Sequence, residues 1–111
     1  MNTKAFKECI DKRIKTDDED AFGVEECWKE LTDILTEDIA STIQYMLTDC
    51  TADEFSWISE VFDDVAEKTR SREFLDCCWK LTEKFPEECD KYNIKGVLPY
   101  AEAYLKEGVC Q

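Results

Sequence analysis

The sequence predicts an all-α domain of five or six antiparallel helices, each about 10 to 17 residues long. Apolar residues recur at spacings of three and four along nearly the whole chain, and no segment alternates as a strand does. The 111 residues include only 3 Gly and 2 Pro, too few for the turns of a sandwich or barrel. Short links favour antiparallel neighbours, so we expect a single helical domain over 1–111, built as HEAT-like stacked hairpins or as an irregular bundle.

Three helices are predicted before residue 50. Apolar residues at every fourth position predict a short helix up to residue 15, and a polar, acidic loop follows over 16–20. An apolar stripe over 24–35 predicts the second helix. Thr36, with two acids directly after it, is typical of an N-cap and predicts the start of the third. The apolar positions are Phe6, Ile10, Ile14, Val24, Cys27, Trp28, Leu31, Ile34, Leu35, Ile39, Ile43, Met46, Leu47 and Cys50.

Capping signals divide the second half of the chain. Thr51 with Glu54 three residues later matches a capping box and predicts the start of a fourth helix. Ser71 is a suitable cap for the helix after it, Pro86 ends or restarts that helix, and Asn93 is typical of a left-handed stop. The remaining predictions are a core stripe of Phe55, Ile58, Phe62, Val65 and Ala66, a second stripe of Phe74, Cys78, Leu81 and Phe85, and a last helix over 97–107 with Pro99 in its first turn and Gly108 after its end.

Charge and composition exclude several classes of function. The chain has 14 Lys and Arg against 27 Asp and Glu, a net charge of −13, which repels nucleic-acid phosphates and anionic membrane surfaces. Histidine is absent, which removes the commonest general base and the zinc sites that need imidazole. The three glycines are isolated and form no phosphate-binding loop. We therefore expect no enzyme and no cofactor.

The acidic segment that begins at Asp18 superficially matches a calcium-binding loop. Acids occupy its first and third positions, and Gly23 occupies its sixth. Its fifth position is Phe22, however, and its twelfth position, which needs a bidentate Glu, is Lys29. The segment is therefore not an EF-hand, and we expect no metal site.

The cysteine pattern favours a structural role in a reducing compartment. The chain has 7 cysteines, an odd number, and no C-x-x-C motif, so it shows neither a disulfide framework nor a zinc ribbon. Cys27 and Cys78 lie in apolar stripes, where a free cysteine behaves as a small hydrophobic residue. The adjacent Cys77 and Cys78 leave open a redox pair or a soft-metal site. With no apolar run long enough for a signal peptide or a membrane span, we expect a cytoplasmic protein.

The charge is distributed unevenly along the chain. Residues 1–15 carry a net charge of +3, and residues 68–111 are neutral. Residues 16–67 contain 17 acids and a single base, Lys29, for a net charge of −16. Like charges on neighbouring helical turns repel, so packing gains nothing from this block. Solubility needs far less charge, so the block indicates a surface for a basic partner.

The fourth predicted helix places four carboxylates and one tryptophan opposite its apolar stripe. These positions follow one another at spacings of four and three, so we expect one solvent-facing row. A tryptophan among acids has the composition of an interaction hot spot, because an apolar anchor is combined with charge that steers a basic partner. In the alternative, the tryptophan packs against another part of the chain, such as the N-terminal segment. The row consists of Asp53, Trp57, Glu60, Asp64 and Glu67.

The acidic loop extends this candidate partner-binding set. Trp28, in contrast, lies within its own apolar stripe and is predicted to belong to the core. The complete candidate set is Asp17, Asp18, Asp20, Asp53, Trp57, Glu60, Asp64 and Glu67.

Three segments resemble the small helical immunity proteins of bacterial toxin–immunity systems, including those of contact-dependent growth inhibition. They are FSWISEVFDD at 55–64, SREFL at 71–75 and EKFPEE at 83–88, and the resemblance covers roughly 51–95. It implies a cytoplasmic protein that binds one cognate toxin domain, often a nuclease, and blocks its active site or substrate groove. The family offers no functional residues to carry over.

Three hypotheses follow for the function. In the first, the acidic surface complements the basic groove of a nuclease toxin, and charge steers the encounter. In the second, the chain is an acidic adaptor or a DNA-mimic regulator that binds a basic cellular protein. In the third, carboxylates or the Cys77–Cys78 pair form an enzyme or metal site. The first is the preferred hypothesis, and the oligomeric state stays open.

Overall fold

A computed structural model describes residues 1–109, with side chains described as far as Leu105, and this part of the chain is helical without any strand. The all-α prediction is confirmed, whereas the expected five or six helices are too few. The elements are α1 (Thr3–Lys15), α2 (Ala21–Thr36), α3 (Ile39–Thr48), α4 (Ala52–Ile58), a 3-10 turn (Ser59–Val61), α5 (Phe62–Thr69), α6 (Arg72–Lys84), α7 (Pro86–Tyr92) and α8 (Ile94–Val109).

Most helix starts are where the capping signals predict them. Thr51 and Glu54 form a reciprocal capping box at the start of α4, with N–H to oxygen distances of 3.1 and 3.2 Å. Ser71 caps α6 by accepting a hydrogen bond from a backbone N–H. The Thr36 prediction is wrong, because its hydroxyl donates to a carbonyl within α2. The cap of α3 is Asp38, whose carboxylate accepts from the N–H of Ser41.

The predicted fourth helix is interrupted by the 3-10 turn. Ser56 and Ser59 each donate their hydroxyl to the carbonyl three residues earlier, at 2.6 and 2.5 Å. Such bonds compete with the helical hydrogen-bond ladder and tighten the backbone locally. Val61 then leaves the helical conformation, with φ −119° and ψ 15°. A fixed rotation per residue therefore does not hold from α4 to α5.

In the C-terminal region, some of the predicted helix starts and ends are observed. Pro86 is the first residue of α7, and Asn93 adopts the predicted left-handed conformation with φ 53°. The last helix starts earlier than predicted, because the N–H of Gly96 already bonds to the carbonyl of Asn93. Pro99 consequently lies inside α8, and the helix continues past Gly108 to Val109.

Three buried phenylalanines, Phe55, Phe62 and Phe74, lie at the centre of the core, and the part-buried Phe85 packs against them. The ring of Phe62 is 5.6 Å from that of Phe55 and 6.2 Å from that of Phe74, and Phe85 is 6.1 Å from Phe55. Ring centres at such distances add to the stabilisation from apolar burial. Helix α5, which carries part of this cluster, packs mainly against α8, while α1 packs against α2 and α3 against α6. The hydrophobic core therefore joins both halves of the chain.

Helix α1 departs from the predicted apolar stripe at its last turn. Phe6 and Ile10 are buried as expected, but Ile14 is 50% exposed. Its neighbour Arg13 points inward instead and is only 7% exposed. A buried arginine requires partners, and these partners belong to the acidic block.

No helix within the described residues is both long enough and apolar enough to cross a membrane.

Candidate functional site

Arg13 is held by side chains from three other elements. Its Nε donates to Glu60 Oε1 at 2.8 Å, and its Nη2 donates to Glu60 Oε2 at 3.0 Å. The same Nη2 lies 3.0 Å from a carboxylate oxygen of Asp18, and the guanidinium carbon is 5.2 Å from the ring centre of Trp57. A bidentate ion pair with a carboxylate, combined with a cation–π contact to an aromatic ring, is a geometry specific to arginine.

Trp28 completes this arrangement, which we call the Arg13 cluster (Arg13, Asp18, Trp28, Trp57 and Glu60). The indole Nε1 of Trp28 donates to Glu60 Oε1 at 3.0 Å. The hydrogen bond to Glu60 raises the pKa of Arg13 above its usual value, and Asp18 contributes further, so the guanidinium stays charged. The cluster ties α1 to the loop before α2, to α2 and to the 3-10 turn.

The four carboxylates of the predicted solvent-facing row are exposed, but the row differs from the prediction in two respects. The break after α4 prevents it from continuing along one helix, and Glu60 and Trp57 are occupied by Arg13. The alternative, in which Trp57 packs against the N-terminal segment, agrees with the observed contact. Asp53 lies exposed in the first turn of α4, and Glu67 lies exposed on α5.

Two of the predicted loop acids organise the local backbone. Asp17 accepts a hydrogen bond from the N–H of Glu19 at 2.9 Å. Asp20 accepts from the N–H of Gly23 at 3.0 Å and caps α2. Asp18 instead reaches Arg13. Of the eight predicted residues, the structure brings Asp18, Trp57 and Glu60 together around one cation.

A second acidic region lies between α2 and α5. It is a cleft of about 370 Å³, which we call the α2–α5 groove. Helix α2 contributes most of its lining and α5 contributes Asp64, the predicted site residue found here. Asp33 forms an ion pair with Lys68 at 3.1 Å, but the two side chains are 61% and 50% exposed, so this pair contributes little to stability. The lining residues are Glu25, Trp28, Lys29, Thr32, Asp33 and Asp64.

The electrostatics of Asp64 distinguish the groove from the Arg13 cluster. Partial burial raises the pKa of Asp64 first, and the charges of Asp63 and Glu67 raise it further. The pKa of Asp63 is also raised by burial. A raised carboxyl pKa means that the surroundings disfavour the negative charge. A basic group from another molecule would compensate this charge.

The groove combines apolar area with carboxylates. Trp28 supplies an indole surface, while Glu25, Asp33 and Asp64 supply negative charge from two helices. Such a lining suits lysine or arginine side chains, whose stems pack on aromatic surface while their heads pair with acids. Among the described residues, no group of three Cys, Asp or Glu side chains is arranged to hold a metal ion.

The cysteines of the described region are free and buried. Burial raises the pKa of Cys9 and of Cys77 to about 11 and that of Cys50 to about 12. Burial raises the pKa of Cys78 further above its ordinary value. Thiols with such pKa values are protonated at neutral pH and are poor nucleophiles. Cys110 lies outside the described residues.

Comparison of the chain with protein-family models, with curated proteins and with solved structures finds no match.

Sequence reasoning missed the part of the groove that α2 contributes. The second helix was assessed only for its apolar stripe, and Trp28 was assigned to the core, whereas it is part-exposed. A helical signal was nevertheless present. Positions 25, 28, 29, 32 and 33 follow the pattern i, i+3, i+4, i+7 and i+8 and so share one face of α2. The proximity of this face to Asp64 depends on the packing of α2 against α5.

Proposed function

We propose that this protein is an acidic immunity protein that binds a cognate toxin domain with a basic groove, most simply a nuclease, and blocks its active site or substrate groove. The observation that carries the proposal is the α2–α5 groove, where Glu25, Asp33 and Asp64 surround Trp28 on the open surface. An irregular helical bundle serves as a rigid support for this surface. The protein acts in the cytoplasm, where the toxin would meet its substrate.

The charge of the acidic block is available to a partner. Sixteen of the 17 acids in segment 16–67 are exposed, and four of the 17 form ion pairs with a lysine or arginine of the described region. A surface field of one sign raises association rates with an oppositely charged partner and favours that partner over acidic ones. A nuclease must present positive charge to bind its substrate backbone, so the two surfaces are complementary.

The test uses the protein domain encoded directly upstream, where a toxin gene is expected for an immunity protein. The purified domain is assayed for nuclease activity with and without this protein, and association is followed by stopped flow at low salt and at about 0.5 M salt. Charge reversal of Glu25→Lys with Asp64→Lys should slow association at low salt by about tenfold and flatten its salt dependence. Both residues are exposed, so the fold should be retained.

A matched variant separates the groove from net charge. Glu83→Lys with Asp90→Lys changes the net charge equally, but these exposed residues lie on α6 and α7 in the neutral part of the chain. Equal slowing by both double variants would place the effect in the overall field instead of the groove. If the upstream domain has no toxic activity that this protein inhibits, the immunity proposal fails. Salt-sensitive binding to ribosomal or nucleoid proteins would then favour the acidic adaptor or DNA mimic.

A further inference from the structure

A smaller cleft lies on the side of Trp57 near α7 and α8. Its volume is about 280 Å³, slightly below the range typical of pockets for drug-sized ligands. It is therefore of a size for one side chain of a partner. Its lining comes from α4, the 3-10 turn, α7 and α8, so it is distinct from the α2–α5 groove. The lining residues are Ser56, Trp57, Ser59, Glu60, Tyr92 and Val97.

The polar atoms of this cleft are mostly acceptors. Ser56 and Ser59 have each donated their hydroxyl proton to a backbone carbonyl, so their oxygens present lone pairs. Glu60 adds a carboxylate, which already binds Arg13 on the other side. Such an environment favours a ligand with several N–H donors.

The aromatic lining favours a cation. Tyr92 is 49% exposed, and the ammonium of Lys91 lies 5.2 Å from its ring centre. The ring of Trp57 has the guanidinium of Arg13 at the same distance. Both rings therefore already contact one cation each, and the exposed part of Tyr92 leaves room for another group. Val97 supplies apolar surface for an aliphatic stem.

We propose that the Trp57–Tyr92 cleft binds one arginine side chain of a partner protein, with the guanidinium between the aromatic rings and the serine oxygens. The assignment of that arginine to a basic toxin rests on the proposed function, whereas the preference of the cleft for arginine does not. The net charge of −13 favours a cationic occupant over an acidic or neutral one.

The experiment uses capped arginine (N-acetyl-arginine N-methylamide) as the probe. The protein is labelled with ¹⁵N at its tryptophans, and the indole N–H signals are assigned with a Trp57→Phe variant. We expect capped arginine to shift the Trp57 signal saturably at millimolar concentration, while capped citrulline, which is neutral and nearly isosteric, binds at least tenfold more weakly. Absence of a saturable shift, or equal affinity for both probes, would overturn the proposal.

Two surface variants test the location. Tyr92→Ala should weaken binding of capped arginine at least threefold, whereas Tyr100→Ala should leave it unchanged, since Tyr100 is 70% exposed on α8 and does not line the cleft. Equal weakening by both variants would contradict the proposed location. The two proposals fail separately. If capped arginine binds but no toxin is inhibited, the immunity proposal fails and the arginine-binding cleft stands. If a toxin is inhibited but capped arginine does not bind, the cleft proposal fails and the immunity proposal stands.

Discussion

The Arg13 cluster and the α2–α5 groove share Trp28 and draw their acids from the same block, yet their carboxylates are used differently. In the cluster, Glu60 accepts two hydrogen bonds from Arg13 and a third from Trp28. In the groove, partial burial raises the pKa of Asp64, and its like-charged neighbours raise it further. The first set of acids stabilises the fold, and the second is left for solvent or for another molecule.

The difference between the two regions is the origin of the neutralising cation. Glu60 is paired with a residue 47 positions earlier in the chain, which α1 delivers to the 3-10 turn. The bases at the groove are Lys29, which lines it, and Lys68, which pairs with Asp33, and both lysines are exposed. A carboxylate of the acidic block is therefore available for binding where no buried base is held against it. This rule generates three predictions on the fold itself.

The largest effect is expected at Arg13. Arg13→Ala should lower the free energy of unfolding by about 2 kcal/mol, because it removes a buried side chain, its contact with the Trp57 ring and its two charge-assisted hydrogen bonds to Glu60. Arg13→Lys should recover only part of the loss, since an ammonium cannot reproduce the two-pronged contact. Urea unfolding followed by tryptophan fluorescence measures both.

Lys12→Ala is the matched control on the same helix. Lys12 pairs with Glu30 at 3.2 Å, and both side chains are about half exposed, so its removal should have no measurable effect. If Arg13→Ala destabilised the protein no more than Lys12→Ala does, the Arg13 cluster would not be a stabilising feature, and its contrast with the groove would disappear.

An intermediate effect on the free energy of unfolding is expected at Trp28, which belongs to both the Arg13 cluster and the α2–α5 groove. Trp28→Phe keeps the apolar contact and removes the N–H donated to Glu60, which should cost about 1 kcal/mol. Arg13 and Trp28 donate to the same oxygen of Glu60, so a double-mutant cycle should give a coupling energy of about 0.5 kcal/mol or more. A cycle between Arg13 and Asp33 of the groove should give none. Equal coupling in both cycles would mean that the two regions are one network.

The parts of the fold that the sequence predicted are those that depend on neighbouring residues. The capping box at Thr51, the cap at Ser71 and the left-handed Asn93 are all local arrangements of a few residues. The interruption after α4 was missed because serine hydroxyls bond to the backbone in ways that residue spacing does not reveal.

The candidate site was predicted less well, because it depends on contacts between distant segments. The concentration of charge over 16–67 can be counted directly, and Asp64 was selected from it. Whether Glu60 is free or paired depends on Arg13, whose charge is only part of the net +3 of residues 1–15 when the sequence is considered alone. An inward arginine in place of Ile14 breaks the apolar periodicity, and only the packing of α1 shows where it points.

The smallest effect is expected at Glu67, an exposed residue near the end of α5. Glu67→Gln should raise the free energy of unfolding at pH 7 by about 0.3 kcal/mol, because it removes a negative charge from a helix C-terminus and from the vicinity of Asp64. Glu73→Gln is the matched control. Glu73 lies in the first turn of α6, where the helix dipole favours a carboxylate, so its removal should slightly destabilise the protein.

The pH dependence of the Glu67 variant tests its cause. The pKa of Asp64 is raised in the folded protein, so as the pH falls the folded state binds this proton before the unfolded state does. The charged carboxylate therefore lowers the free energy of unfolding at pH 7. This loss of stability disappears as the pH falls through the raised pKa. The gain from Glu67→Gln should therefore shrink as the pH falls and Asp64 becomes protonated. A gain that is constant from pH 7 to pH 3 would show that helix propensity, and not charge repulsion in the groove, is responsible. If instead the gain fades and the same variant also binds its partner more slowly, the groove has acids that cost the fold stability and serve association.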